Sequence, residues 1–161
     1  MPSATLAQLA FLLHAAVETP AAVTFVFMPE RQLSSDLVAS QVGKGSGTEV
    51  TLLLHNLGGL LASSVALSLV MAIWACTSAS NSTLPGATSI GISAPLRGGI
   101  ALALGGYHLF PCRRAYLRRK YSIGTSGRHR KTLGGPSVHL IVHIVCFVAL
   151  LSAAMVDFDI L

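Results

Sequence analysis

The side chains that could do chemistry in this chain fall mostly inside apolar stretches of sequence. His14 and Glu18 lie in the first such stretch, four residues apart, which puts both on one face of a helix. An ionisable group at the centre of a bilayer costs about 2.5–3.5 kcal/mol on insertion scales, so it usually faces the protein interior. A carboxyl group in a low-dielectric site tends to stay protonated. Such a group beside a histidine favours general acid–base chemistry.

Polar side chains also occur in the later apolar stretches, namely His55, Asn56, Tyr107, His108, His139 and His143. Along the axis of an α-helix, Glu18 lies about 15 Å from the C-terminal end of its stretch. In each of the other three stretches, one histidine (His55, His108 or His143) lies about 6–9 Å from the end that faces the same side of the membrane. The sequence therefore predicts that polar groups gather in one half of the membrane. The predicted catalytic residues are Glu18, His14, His55, Tyr107 and His108. The predicted substrate-binding residues are Asn56 and His143.

The composition is typical of an integral membrane protein. Hydrophobic residues make up 52% and charged residues 11% of the 161 residues, whereas a soluble domain carries about 25% charged residues. Disorder is excluded because it needs low hydrophobicity and high charge. The three cysteines, Cys76, Cys112 and Cys146, lie far apart. Their number and spacing argue against a disulfide framework and against a zinc ribbon.

Four apolar windows are long enough to cross a bilayer, whose core requires about 20 residues per helix. They cover residues 6–28, 50–76, 94–112 and 137–156, approximately. The first has no basic start and contains Glu18, so we expect a retained anchor rather than a signal peptide. Arg97, near the start of the third window, is expected to reach the membrane interface. The sequence predicts an all-α integral membrane four-helix bundle, with residues 1–161 forming a single transmembrane domain.

The positive charge of the chain is concentrated in one segment. Residues 113–131 contain eight of the eleven Lys and Arg residues and no acidic residue. Short loops of this kind stay in the cytosol, so we expect a cytosolic basic loop here and both termini in the lumen. The loop is expected to contact anionic lipid headgroups rather than nucleic acid. Asn81 begins a glycosylation sequon, Asn81-Ser82-Thr83, which favours a lumenal position and the endoplasmic reticulum.

Three functions are compatible with these residues. The first is an acid–base enzyme that acts on an apolar metabolite without a metal or other cofactor. In such chemistry, Glu18 would donate a proton, and His14 or His55 would activate water or an internal hydroxyl group. The second is a b-type haem protein in which His55 pairs with His108 or His143 as iron ligands. The third is a non-catalytic membrane binding or assembly protein. A carboxylate di-iron site is disfavoured because it needs about four glutamates.

Two resemblances to known families rest on short motifs. The segment His14-Ala15-Ala16-Val17-Glu18 resembles the H-x-x-x-E of the emopamil-binding sterol isomerases, in which a histidine and acidic residues shuttle protons at a sterol double bond. The segments LLHAAVETPA, LLLHNLGGLL and GGYHLFP, in a four-helix layout, resemble small integral-membrane proteins of fungal natural-product pathways. Some of those are epoxide hydrolases or cyclases. This resemblance implies an enzyme of secondary metabolism that acts on an apolar polyketide or terpenoid intermediate.

Overall fold

The fold is entirely helical in the part of the chain that the structure describes. The computed structural model describes residues 2–29, 46–81, 92–120 and 135–161. The helices are α1 (Pro2–Phe27), α2 (Ser46–Asn81), α3 (Ala94–Tyr107), α4 (Leu109–Lys120) and α5 (Gly135–Asp157). The all-α fold class predicted from the sequence is confirmed.

Three of these helices are long and apolar enough to cross a membrane. The candidate spans are Ala4–Phe27, Glu49–Ala75 and Gly135–Asp157. A helix is the form that such stretches take in lipid, because it pairs its backbone N–H and C=O groups internally. Pro20 lies inside α1 without ending it, as membrane helices allow. The class of integral membrane protein predicted from composition is therefore confirmed.

The third predicted window, residues 94–112, is divided into two helices at His108. Pro111 explains the division, because it has no N–H to bond with the carbonyl of Tyr107 and its ring crowds that carbonyl. At the division, the N–H of His108 donates to the carbonyl oxygen of Gly105, three residues earlier, at 2.9 Å. The first piece, α3, has 14 residues and is about 21 Å long. By itself it is shorter than the apolar core of a typical bilayer, about 30 Å thick, so the crossing predicted for residues 94–112 also needs the start of α4.

The chain forms two compact units, one of Met1–Phe11 with Met71–Leu161 and the other of Leu12–Val70. In the first unit, α5 packs against both α3 and α4. Gly98 meets Asp157, Gly105 meets Leu150, and His108 meets His143. Because residue numbers rise along one partner and fall along the other, α5 runs antiparallel to α3 and α4.

The apolar core of the first unit consists largely of alanine. Its members are Ala7, Ala10, Phe11, Met71, Ala72, Ala101, Leu104, Leu150, Ala153 and Ala154. Lipid is as apolar as leucine, so membrane helices gain stability mainly by close packing, which small side chains permit. This core brings α3 and α5 close enough to join polar groups carried by the two helices.

In the second unit, the backbones of α1 and α2 approach each other closely at Gly58. A β-carbon built on Gly58 would lie 2.8 Å from the backbone nitrogen of Val26 and 2.9 Å from the carbonyl carbon of Phe25. Gly59, the next residue, has nothing within 4 Å of the same position. Glycine at residue 58 therefore allows the two backbones to touch, as small residues do where membrane helices cross.

Candidate functional site

The ionisable side chains of α1 lie inside the protein, whereas several of its large apolar side chains are exposed. His14 and Glu18 are 0% and 1% exposed, and their spacing of four residues puts them on one face. Leu12 and Val23, on other faces of the helix, are 42% and 43% exposed. A soluble helix shows the opposite arrangement, with its apolar stripe toward the core. The arrangement in α1 fits a helix that meets lipid on one side and holds polar groups in the protein on the other.

The burial of His14 and Glu18 is the property that makes them candidates for chemistry. Each is held among protein atoms, and neither is without an interacting partner. Ala15 and Ala22, also buried, keep the surroundings of this face small and apolar. A carboxyl group and an imidazole one turn apart in such surroundings can divide the work of proton donor and proton acceptor.

His108 and His143 form a buried pair in the first unit. Their Nδ1 atoms are 2.9 Å apart, and the ring centroids are 5.1 Å apart. An imidazole nitrogen either donates or accepts, so one of the two Nδ1 atoms carries the proton that the other accepts. His108 lies at the division between α3 and α4, which Pro111 produces, and His143 lies inside α5. The structure therefore brings together two residues that the sequence predicted separately.

Two further rings lie beside this pair. Tyr107, which is half-buried, meets the His108 ring edge to face at a centroid distance of 5.4 Å. His139 stacks on His143 at 5.6 Å, with ring planes 24° apart. His139 is exposed, His143 is nearly buried and His108 is fully buried. The three imidazoles thus form a row that leads from the surface of this unit to its interior.

The remaining predicted site residues, His55 and Asn56, are exposed side chains on α2. The expectation that intramembrane polar groups face inward therefore applies to His14, Glu18, His108 and His143 but not to these two. The predicted gathering of polar groups from all four windows remains a prediction. Asn81 is the last residue of α2, and the rest of its sequon lies outside the described residues.

The partner of Arg97 was not predicted from the sequence. Its Nε donates to Oδ2 of Asp157 at 2.7 Å, and its Nη2 donates to Oδ1. Both side chains are buried, so Arg97 lies in the protein rather than extending freely to the interface. A buried charge is tolerable when an opposite charge meets it with paired hydrogen bonds. The sequence contained a signal for this pair: Arg97 lies near the start of the third window and Asp157 directly follows the fourth. Two antiparallel helices place these two ends side by side.

The basic segment is helical where the structure describes it. Residues 113–120 belong to α4, and the remainder of the predicted loop 113–131 lies outside the described residues. All five Arg and Lys side chains of α4 are exposed. Arg114 is partly covered by its neighbours, and this partial burial lowers its pKa; the charge of Arg118 lowers the pKa further, and Tyr107 opposes both. The positive charge of α4 is therefore crowded rather than evenly spread.

The chain matches no protein-family model, no curated protein and no solved structure. The resemblances to the fungal natural-product proteins and to the sterol isomerases remain hypotheses carried by short motifs.

Proposed function

We propose that this protein is a membrane-embedded enzyme that performs acid–base chemistry on an apolar small molecule. The observation that carries the proposal is the complete burial of His14 and Glu18, one turn apart, in a helix long enough to span a membrane. Ionisable residues inside membrane helices are costly, and they commonly mark substrate pathways or proton relays.

The two side chains supply complementary steps of epoxide opening. Protonated Glu18 donates its proton to the epoxide oxygen as the carbon–oxygen bond breaks. His14 takes a proton from the attacking water, or from a hydroxyl group of the substrate itself. Transfer of that proton from His14 to the Glu18 carboxylate restores the starting state. The net result is addition of one water in hydrolysis, or an isomer in cyclisation. Double-bond isomerisation uses the same donor and acceptor.

His14 suits the role of base better than His55. The sequence left both residues open for this role, but His14 is buried whereas His55 is exposed. Proton transfers of this kind work best where bulk water is excluded, because electrostatic interactions are stronger there. We assign a second role to His108 and His143, whose Nδ1 atoms share a hydrogen bond. They carry a proton between the surface of the first unit and its buried interior.

An apolar polyketide or terpenoid intermediate is the substrate class that fits best. The three candidate spans carry exposed apolar side chains such as Leu9, Leu60 and Ile141, so the protein surface is compatible with lipid. A substrate dissolved in the same lipid reaches a membrane-embedded site without crossing water. The endoplasmic reticulum is the membrane that we assign, from the basic segment and the sequon.

The proposal is tested by substrate conversion in isolated membranes. Microsomes that contain the chain, and matched microsomes without it, are incubated with a panel of epoxide-bearing polyketides and terpenoids and their alkene analogues. Mass spectrometry then detects the gain of one water, or an isomer with a new retention time. We expect conversion of at least one compound only where the chain is present. Binding of these compounds without any conversion would favour the non-catalytic alternative.

A b-type haem protein is the second candidate, and the His108–His143 pair is the observation that favours it. The two residues would hold the haem iron, which would supply electron-transfer chemistry. The observed 2.9 Å between their Nδ1 atoms is a hydrogen-bond distance, so the rings would have to separate to admit the group. Purified protein with a Soret band that is lost on His143→Ala would establish this alternative.

A further inference from the structure

A group of three cationic or protonatable side chains lies where α4 packs on α5. Arg114 and Arg118 are four residues apart on α4, so they share one face. His139 lies near the start of α5 and stacks on His143, whose Nδ1 atom meets that of His108 next to the first residue of α4. We call Arg114, Arg118 and His139 the α4–α5 cationic cluster.

The cluster has no acidic residue near it on its own two helices. α4 contains no acid, and the one acid of α5 is Asp157, at the far end of that helix. Asp157 lies eighteen positions after His139, a distance of about 27 Å along the axis. Asp157 is also bonded to Arg97. The repulsion between like charges in the cluster is therefore uncompensated on α4 and α5, and a bound anion would relieve it.

The position of the cluster along α5 matches that of lipid headgroups. His139 is the fifth residue of the span Gly135–Asp157, about 6 Å from its start. Apolar side chains with large exposed areas lie beside the cluster on the same helices, among them Phe110 on α4 and Ile141 on α5. Acyl chains can cover such side chains while a phosphate meets the charges.

We propose that the α4–α5 cationic cluster binds the phosphate group of an anionic membrane lipid. Each guanidinium presents a planar set of N–H donors that fits phosphate oxygens with two hydrogen bonds. The ring of His139 supplies a third donor from the facing helix. Basic pockets between helices on the cytoplasmic side are known places for anionic headgroups. This inference does not depend on the proposed enzyme activity.

The test measures thermal unfolding of the full chain in phosphatidylcholine nanodiscs with and without phosphatidic acid. We expect phosphatidic acid to raise the midpoint of the wild-type protein, and diacylglycerol, which lacks the phosphate, to leave it unchanged. The variant R114Q/R118Q should bind phosphatidic acid about tenfold or more weakly, the loss expected for charge-assisted hydrogen bonds. His139→Ala, which removes the third donor, should also weaken binding.

The matched control is R113Q/R119Q, which removes the same charge from other faces of α4. We expect it to keep most of the response to phosphatidic acid. Equal losses in the two double variants would overturn the proposal, because general charge attraction would then explain binding. Equal stabilisation by inorganic phosphate in detergent would overturn the lipid as ligand. The comparison of phosphatidic acid with diacylglycerol needs no variant, and an unchanged midpoint with phosphatidic acid would overturn the proposal even if R114Q/R118Q does not fold.

Discussion

Substitution of Gly58 by alanine tests the helix contact that holds α1 and α2 together in the second unit. The added β-carbon would lie 2.8 Å from the Val26 nitrogen and 2.9 Å from both the Phe25 carbonyl carbon and Cγ2 of Val26. Favourable contacts between such atoms are about 3.5–4.0 Å long. Two of the three contacted atoms belong to the backbone, so a side-chain rotation cannot relieve the overlap and the helices must separate.

The expected cost follows from two opposing terms. Insertion of a methyl group into a packed interior destabilises a protein by about 1–3 kcal/mol. Replacement of glycine by alanine within a helix contributes about 0.8–1.0 kcal/mol of stability through helix propensity. Gly59→Ala has the second term without the first, because nothing lies within 4 Å of its β-carbon position. The two variants should therefore differ by about 1–3 kcal/mol, with Gly58→Ala the less stable.

The assay heats the purified variants in one detergent and measures, at each temperature, the fraction of protein that remains monodisperse. A change of 1 kcal/mol shifts the midpoint by about 2–4 °C for chains of 150–250 residues. We expect Gly58→Ala to unfold several degrees below Gly59→Ala. Equal midpoints for the two variants would refute the close approach of α1 and α2 at Gly58.

The buried ion pair and the topology give two further predictions. Asp157→Asn should destabilise the protein by about 3–5 kcal/mol, because it leaves Arg97 buried without its charge partner. Asp159→Asn, at an exposed position, should have little effect in the same thermal assay. Equal effects of the two substitutions would contradict the importance of the buried ion pair. Residues 113–131 should be cleaved by protease added outside sealed microsomes, and protection of this segment would contradict the predicted topology. Asn81→Gln should remove the shift in gel mobility that a glycan on Asn81 produces.

The extent of three helices could be predicted from the sequence because lipid makes composition decisive. The windows 6–28, 50–76 and 137–156 correspond closely to α1, α2 and α5. In a membrane, a long apolar stretch has one favourable backbone form, so the position of the stretch gives the position of the helix. The division at His108 escaped prediction because an average over a window hides a single proline. Pro111 was the local signal.

The partners of the site residues could not be predicted because they depend on helix rotation. Spacing placed His14 and Glu18 on one face, and the structure buries both. Spacing alone does not say which face of α2 turns outward, so the exposure of His55 and Asn56 was not foreseen. The pairing of His108 with His143 depends on the register of two antiparallel helices. Small residues such as Gly105 allow the helices to pack closely, but their positions in the sequence do not predict that register.

The measurement that tests the central claim most directly is the turnover of Glu18→Gln on a substrate that the wild-type protein converts. Gln keeps the shape of the side chain but cannot donate an acid proton. We expect turnover to fall by about 10²- to 10⁴-fold, the usual contribution of a general acid or base, while the protein still inserts and unfolds at a similar temperature. Glu49→Gln, the same change at an exposed position, should keep full turnover. Full turnover by Glu18→Gln would contradict the account, and Glu18 would then be a structural group of α1.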